Sequence, residues 1–186
     1  MIAPRLESDR LVLRLAGAED VPAIIRYYRE NEAHLAPYDP LKPANFYTEP
    51  YWAARVRHSQ DEFRDDRAMR TFLFAKAAPS VVIGTVSLSA ILRGPAQYAN
   101  LGYSLAETAQ GHGYMIEILP ELIGYAFGPL KLHRIQANYM PHNVRSGKLL
   151  RRLGFVVEGY ARDYLMIAGQ WEDHVLTSLT NQAWAL

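Results

Sequence analysis

Gln110-Gly111-His112-Gly113-Tyr114-Met115 is the stretch whose reading decides the fold. Before it, Tyr98 to Leu105 predicts a strand, in which Tyr98, Leu101, Tyr103 and Leu105 carry the apolar and aromatic weight and Asn100 and Ser104 lie between them. After it, Met115, Ile118, Leu119, Leu122 and Ala126 fall at spacings of 3, 4, 7 and 11, one face of an α-helix. Strand, glycine turn and helix start follow one another directly. The first helical turn has backbone N–H groups without intrahelical partners, and the macrodipole adds partial positive charge there. Gly111 and Gly113 lack a Cβ, so a diphosphate can approach those amides. A plain structural connection explains the same glycines. The turn lacks a Walker lysine, and Ile116 stands where a dinucleotide fingerprint needs its third glycine.

The rest of the chain continues the mixed pattern. Arg10 to Leu15 alternates apolar and basic residues and predicts a strand, and Asp20 reads as the cap of a helix from Val21 to about Asn31. Ala33 to Pro50 holds four prolines (Pro37, Pro40, Pro43 and Pro50) among Tyr38, Phe46 and Tyr47, and predicts an ordered loop. Tyr51 to Phe63 fits a helix, and Thr71–Ala77 and Val81–Ala90 fit two strands joined across Ala78-Pro79-Ser80. Pro120 lies within the helix after the glycine turn, where a proline costs about 3 kcal/mol, and a kink is expected there. His133 to Met140 predicts another strand. Asn143 caps a helix closed by Gly154, and Phe155–Ile167 and Trp171–Leu179 form a hairpin about Ala168-Gly169. This order implies an α/β (α+β) sheet with helices on both faces.

Composition narrows the function classes. At 186 residues the chain fits one domain, 1–186. A net charge of +1 offers no strong field for nucleic acid or an anionic membrane. No apolar run reaches the roughly 18 residues of a membrane span, and Met1-Ile2-Ala3-Pro4-Arg5 lacks the apolar core of a signal peptide. A cytoplasmic protein, monomer or homodimer, is expected. With no cysteine, zinc–thiolate sites and a cysteinyl acyl-enzyme are excluded, so any acyl transfer here is direct.

Gln110-x-x-Gly113-x-(small) resembles the acyl-CoA loop of the GNAT N-acetyltransferases, with Met115 where that family most often has Gly or Ala. The segment 138–180 narrows the resemblance. It reads Asn138-Tyr139-Met140-Pro141-His142-Asn143, then Arg145-Ser146-Gly147-x-Leu149-Leu150 and Arg152-Leu153-Gly154-Phe155. Glu158-Gly159-Tyr160-Ala161, Asp163-Tyr164-Leu165 and Gly169-Gln170-Trp171-x-Asp173-His174-Val175-Leu176-Thr177 follow. These motifs, with Arg10 to Leu15, Tyr27-Tyr28 and Gly102-Tyr103-Ser104, are similar to the ribosomal-protein-alanine N-acetyltransferases of the RimJ type.

The resemblance implies a GNAT fold: a mixed, mostly antiparallel twisted sheet of about seven strands, about four flanking helices and splayed central strands. It implies acetyl-CoA as cofactor, with pantetheine along the backbone of Tyr103, Ser104 and Leu105 and pyrophosphate on the amides of Gln110, Gly111, His112, Gly113, Tyr114 and Met115. Asn143 is implied as a pantetheine contact, although an N-cap alone explains it, and Ser146 as an aid to the departing thiolate, although a second capping hydroxyl explains that. Many relatives place a tyrosine acid at the position of Leu150. Glu158, Asp163 and His174, on the final hairpin, are candidates to relay the acceptor's proton. Tyr27, Tyr28, Tyr38, Tyr139, Tyr160, Tyr164 and Trp171 are candidate walls of an acceptor cleft, and each also suits a core. The implied acceptor is a protein or peptide N-terminus, that of a small-subunit ribosomal protein. Acetylation of a small amine or antibiotic, and binding of acyl-CoA without turnover, are the competing readings.

Overall fold

Apolar side chains on both sides commit the inner strands of the sheet to two buried faces. In β2 (Leu11–Arg14), Leu11 and Leu13 face one side and Val12 the other; in β3 (Met69–Ala75), Leu73 opposes Phe72 and Phe74. The computed structural model describes residues 4–185. Its other elements are β1 (Arg5–Glu7), α1 (Val21–Glu30), α2 (Glu32–Leu35), α3 (Glu49–Arg64), β4 (Ala78–Leu92), β5 (Tyr98–Leu105) and α4 (Tyr114–Phe127). They are followed by β6 (Arg134–Tyr139), α5 (Val144–Arg152), β7 (Val156–Ile167) and β8 (Gln170–Thr180). The strands form one eight-stranded sheet in the order β1-β2-β3-β4-β5-β6-β8-β7, with every neighbour antiparallel except β5 and β6.

Helices cover both faces. On one, Ile118, Leu119 and Leu122 of α4 pack on Leu11, Leu13, Leu73, Val86, Leu88 and Ile135. On the other, Ile24 and Tyr27 of α1 and Trp52 and Val56 of α3 pack on Phe72, Phe74 and Val82. None of the described helices is long and apolar enough to cross a membrane.

Several local expectations are corrected. The sheet has one strand more than expected and five α-helices rather than four, because β1 and α2 have three and four residues, too few to show a period. The segment expected to be a loop from Ala33 to Pro50 contains most of α2, and Pro50 sits in the first turn of α3, where its missing N–H has no role. Thr48 caps α3, accepting from the Tyr51 N–H at 3.4 Å. Asp20 makes no side-chain cap bond to α1; its carboxylate takes the Arg14 guanidinium and the Gly17 N–H instead. The β3–β4 turn falls at Lys76-Ala77, and β4 already begins at Ala78. The helix expected across Pro120 is present as α4, with the proline on its exposed side. Ala168 and Gly169 both have positive φ, 50° and 83°, as a two-residue hairpin turn matching the twist of β7 and β8 requires.

Candidate active site

The parallel contact in the sheet is short. Strand β5 pairs with β4 from Tyr98 through Leu105, but with β6 only where Tyr98, Ala99 and Asn100 meet Arg134, Ile135 and Gln136. Beyond Asn100 the two strands separate, so Leu101–Leu105 presents a free backbone edge to a seam inside the sheet. At the apex, the Asn100 carboxamide oxygen is buried with no hydrogen-bond partner among the described residues. The glycine turn and the start of α5 stand at the open end.

The turn is shaped by left-handed backbone. Gly111 and Gly113 both have φ +79°, and Gly113 is the N-cap of α4. A Cβ at Gly111 would meet nothing within 4 Å, so conformation, not space, calls for glycine there. Gln110 fixes the turn from two sides: its amide nitrogen donates to His34 Nε2 at 2.8 Å, and its amide oxygen accepts from Arg145 on the first turn of α5. Arg10 donates to the His112 carbonyl at 3.0 Å, stacks over the Tyr114 ring at 4.7 Å and pairs with Glu117 at 2.5 Å. Two guanidinium groups therefore flank the unpaired amides of the α4 N-terminus, an arrangement suited to a diphosphate. Met115 leaves the ligand face: its side chain is buried, with its methyl 3.4 Å from where a Cβ on Gly84 would be.

Within the seam, Tyr103 Oη and Ser146 Oγ are hydrogen-bonded at 2.7 Å, joining β5 to α5 across the gap. Asn143 caps α5, its carboxamide oxygen accepting from the Ser146 N–H at 3.2 Å. Burial pushes the Tyr103 phenol up to about 12, so it remains a neutral donor at neutral pH. On the opposite face of β5, Ser104 Oγ bonds Tyr27 Oη at 2.9 Å and Thr85 Oγ1 at 2.7 Å. Leu150 is buried.

The hairpin candidates for proton relay are dispersed. Glu158 pairs with Arg134 and accepts from Ser178 Oγ at 2.7 Å; both hold its carboxyl below the ordinary range, which makes it a weaker base. Asp163, at φ +47° in a bulge of β7, uses its N–H to bond Asp173 at 2.9 Å, and its own carboxylate is exposed. His174 is buried, with Nδ1 2.9 Å from the Glu172 carbonyl and its ring 5.5 Å from that of Tyr164.

Nor do the seven aromatics form one wall. Tyr27 is a core residue that reaches the site only through its hydroxyl, and Tyr28 stacks on Trp52 at 5.0 Å. Tyr139 packs its ring over Gly147, where a Cβ would come within 2.8 Å. Tyr38, 6.4 Å from the His142 ring, is exposed. So are Tyr160, bonded to Asp173 at 2.6 Å; Tyr164, bonded to Asn138 at 3.2 Å; and Trp171. Sequence reasoning missed Arg10, His34 and Arg145, which brace the turn from three separate parts of the chain; no local pattern marks them.

The family described as an acetyltransferase (GNAT) domain matches residues 10–156. The chain is 43% identical over 180 residues to the [ribosomal protein uS5]-alanine N-acetyltransferase of Escherichia coli (strain K12), covering 97% of this chain and 92% of the relative. The crystal structure of ribosomal-protein-S5-alanine acetyltransferase from Vibrio fischeri superposes with a TM-score of 0.93 at 37% identity, covering 98% of this chain and all of that one. Mycobacterium smegmatis RimJ, solved in complex with CoA-disulfide, shares the fold at a TM-score of 0.87 and 24% identity, over 99% of this chain and 89% of that one. The chain belongs to the GNAT acetyltransferases and is an enzyme of that family.

Proposed function

We propose that this enzyme transfers the acetyl group of acetyl-CoA to the N-terminal α-amine of a protein, a ribosomal protein beginning with alanine or serine. The observation that carries the reading is the seam. It offers a free strand edge at Leu101–Leu105, a hydroxyl pair that bridges β5 to α5 across the gap, and amides flanked by Arg10 and Arg145 at its mouth. The edge suits the amide-bearing pantetheine arm, which pairs with it as an added strand would. The Gln110–Met115 amides suit the pyrophosphate. A backbone N–H of Tyr103–Leu105 stabilises the thioester oxygen as charge develops on it, and Ser146 donates toward the departing sulfur. With no cysteine in the chain, the amine attacks the thioester directly. The ribosomal acceptor is supported by the 43% identity to the uS5-alanine enzyme.

The acceptor's acidity favours the same reading. At pH 7 roughly one α-amine in ten is neutral, against roughly four lysines in ten thousand. Peptides beginning with free alanine or serine are therefore expected to release thiol from acetyl-CoA about 100-fold faster than N-blocked peptides bearing lysine. A thiol-release assay over both peptide classes and a panel of small amines checks this. Equal rates on lysine would overturn the acceptor assignment, and turnover confined to a small amine would replace it.

A further inference from the structure

Asp39 lies in the segment after α2, which bridges the elements around the seam. Just before that segment, His34 of α2 holds Gln110; next to Asp39, the Tyr38 ring lies 6.4 Å from that of His142, four residues before Ser146. At the other end, the Asp39 carbonyl accepts from the Ala168 N–H at 2.9 Å, and Leu41 covers Gly169, 3.2 Å from where a Cβ would stand. Asp39 is thus fixed between the β7–β8 turn and the approach to α5.

We propose that Asp39 is the acceptor-binding carboxylate and general base of this enzyme: it receives the α-ammonium of the incoming N-terminus and takes a proton from it. The inference rests on the N-terminal acetyltransferase reading above. Three observations carry it. The Asp39 side chain is 27% exposed, and its one ion pair among the described residues, with Lys42 Nζ, is long at 3.8 Å. Lys42 is itself held off: its ammonium lies 5.5, 5.2 and 5.7 Å from the ring centroids of Tyr28, Phe46 and Tyr47, and 3.5 Å from Tyr47 Oη. An ammonium entering at hydrogen-bond distance meets a carboxylate whose resident cation sits at the limit of an ion pair. Lastly, the chain around Asp39 meets the mouth of the seam: the adjacent Tyr38 ring lies 6.4 Å from that of His142, and His34, five residues earlier, bonds Gln110 at 2.8 Å. Burial raises the Asp39 carboxyl above its ordinary range, against the pull of Lys42, which makes it a better base than a surface aspartate.

The proton balance closes. The ammonium gives one proton to Asp39, and the neutral nitrogen forms a bond to the thioester carbon as the carbon–sulfur bond breaks. The second proton shed by nitrogen matches the one that coenzyme A sulfur gains on the side of Ser146. Asp39 returns its proton to solvent, so each turnover releases one proton.

The titratable groups facing Asp39 are Lys42 and the Tyr27, Tyr28 and Tyr47 hydroxyls. All three hydroxyls are pushed upward, Tyr47 to about 12, so none of them ionises in the assay range. The test compares Asp39→Asn and Asp39→Glu with the wild-type chain, using a peptide beginning with alanine, and monitors acetyl-CoA affinity by calorimetry. Asp39→Asn should lower kcat/KM for the peptide about 100-fold near pH 7 with acetyl-CoA affinity retained. The deficit should shrink toward about pH 9, where the α-amine is already neutral. Asp39→Glu, which keeps the charge, should retain at least about tenfold more activity than the amide. A wild-type rate in Asp39→Asn, a deficit that does not change with pH, or a glutamate variant no better than the amide would overturn the role of Asp39 and leave the N-terminal reading in place. If Asp39→Asn fails to bind acetyl-CoA, the glutamate variant and its pH profile decide. No peptide acetylation by the wild-type chain would overturn the function and this inference together.

Discussion

Ser146 is fixed by two short-range devices. Asn143 holds its N–H at the head of α5, and the Tyr103 phenol meets its hydroxyl at 2.7 Å. If the phenol donates, the serine proton is free to point at sulfur. Its contribution then falls in the transition state and not in ground-state binding, so Ser146→Ala should lower kcat at least tenfold with acetyl-CoA affinity nearly intact. Tyr103→Phe removes only one neutral hydrogen bond and should cost about 2- to 10-fold in kcat. Steady-state kinetics with calorimetry separates these terms, and an unchanged kcat in Ser146→Ala would remove the serine from the mechanism. The Asn143 cap was legible because donor and acceptor lie within four residues. The partnership with Tyr103 was not: 43 residues separate the hydroxyls, and no spacing rule reaches that far.

At the scale of elements, the glycine turn decides whether α4 presents its amides. Gly113 closes the turn at φ +79°, while a Cβ there would make only ordinary contacts, 3.8 Å from Arg10 and 3.9 Å from Ile116. Gly113→Val is therefore disfavoured by backbone conformation and not by crowding. The left-handed penalty is about 1–2 kcal/mol, which lowers Tm by about 2–8 °C in a chain of this length. If the helix relieves that strain by rotating its first peptides, acetyl-CoA affinity falls at least tenfold, since the pyrophosphate loses aligned donors; calorimetry on the variant reads it. Strand β5 and helix α4 were legible from their periods because each has one face committed to the core. Short β1 and α2 gave no such signal, and Asp20 was misread as a cap because Arg14, six residues away, competes for the same carboxylate.

For the molecule as a whole, that Arg14–Asp20 pair joins the end of β2 to the start of α1 and sets part of the acid stability. Burial alone would raise the Asp20 carboxyl, but the bidentate Arg14 guanidinium at 2.6 and 2.7 Å and the Gly17 N–H bring it below its ordinary range. Its folded pKa is depressed, so the stabilisation is full above the unfolded value of about 3.9 and is lost as pH falls through the lower folded value. Asp20→Asn should lower stability by about 2–3 kcal/mol at neutral pH, with the gap from the wild-type chain narrowing as pH falls below the unfolded value in a series of thermal melts. Element order made the mixed sheet legible, whereas the depth of the seam was not, since it depends on where two strands diverge and not on what either contains. That divergence has a consequence beyond catalysis. Leu101–Leu105 is an unpaired strand edge in the middle of a sheet, the kind of surface that recruits foreign strands. A donor filling the seam shields it, and at a hundredfold excess over its Kd adds about 2.7 kcal/mol to folding. Melting temperature and resistance to proteolysis are then expected to rise as acetyl-CoA is added.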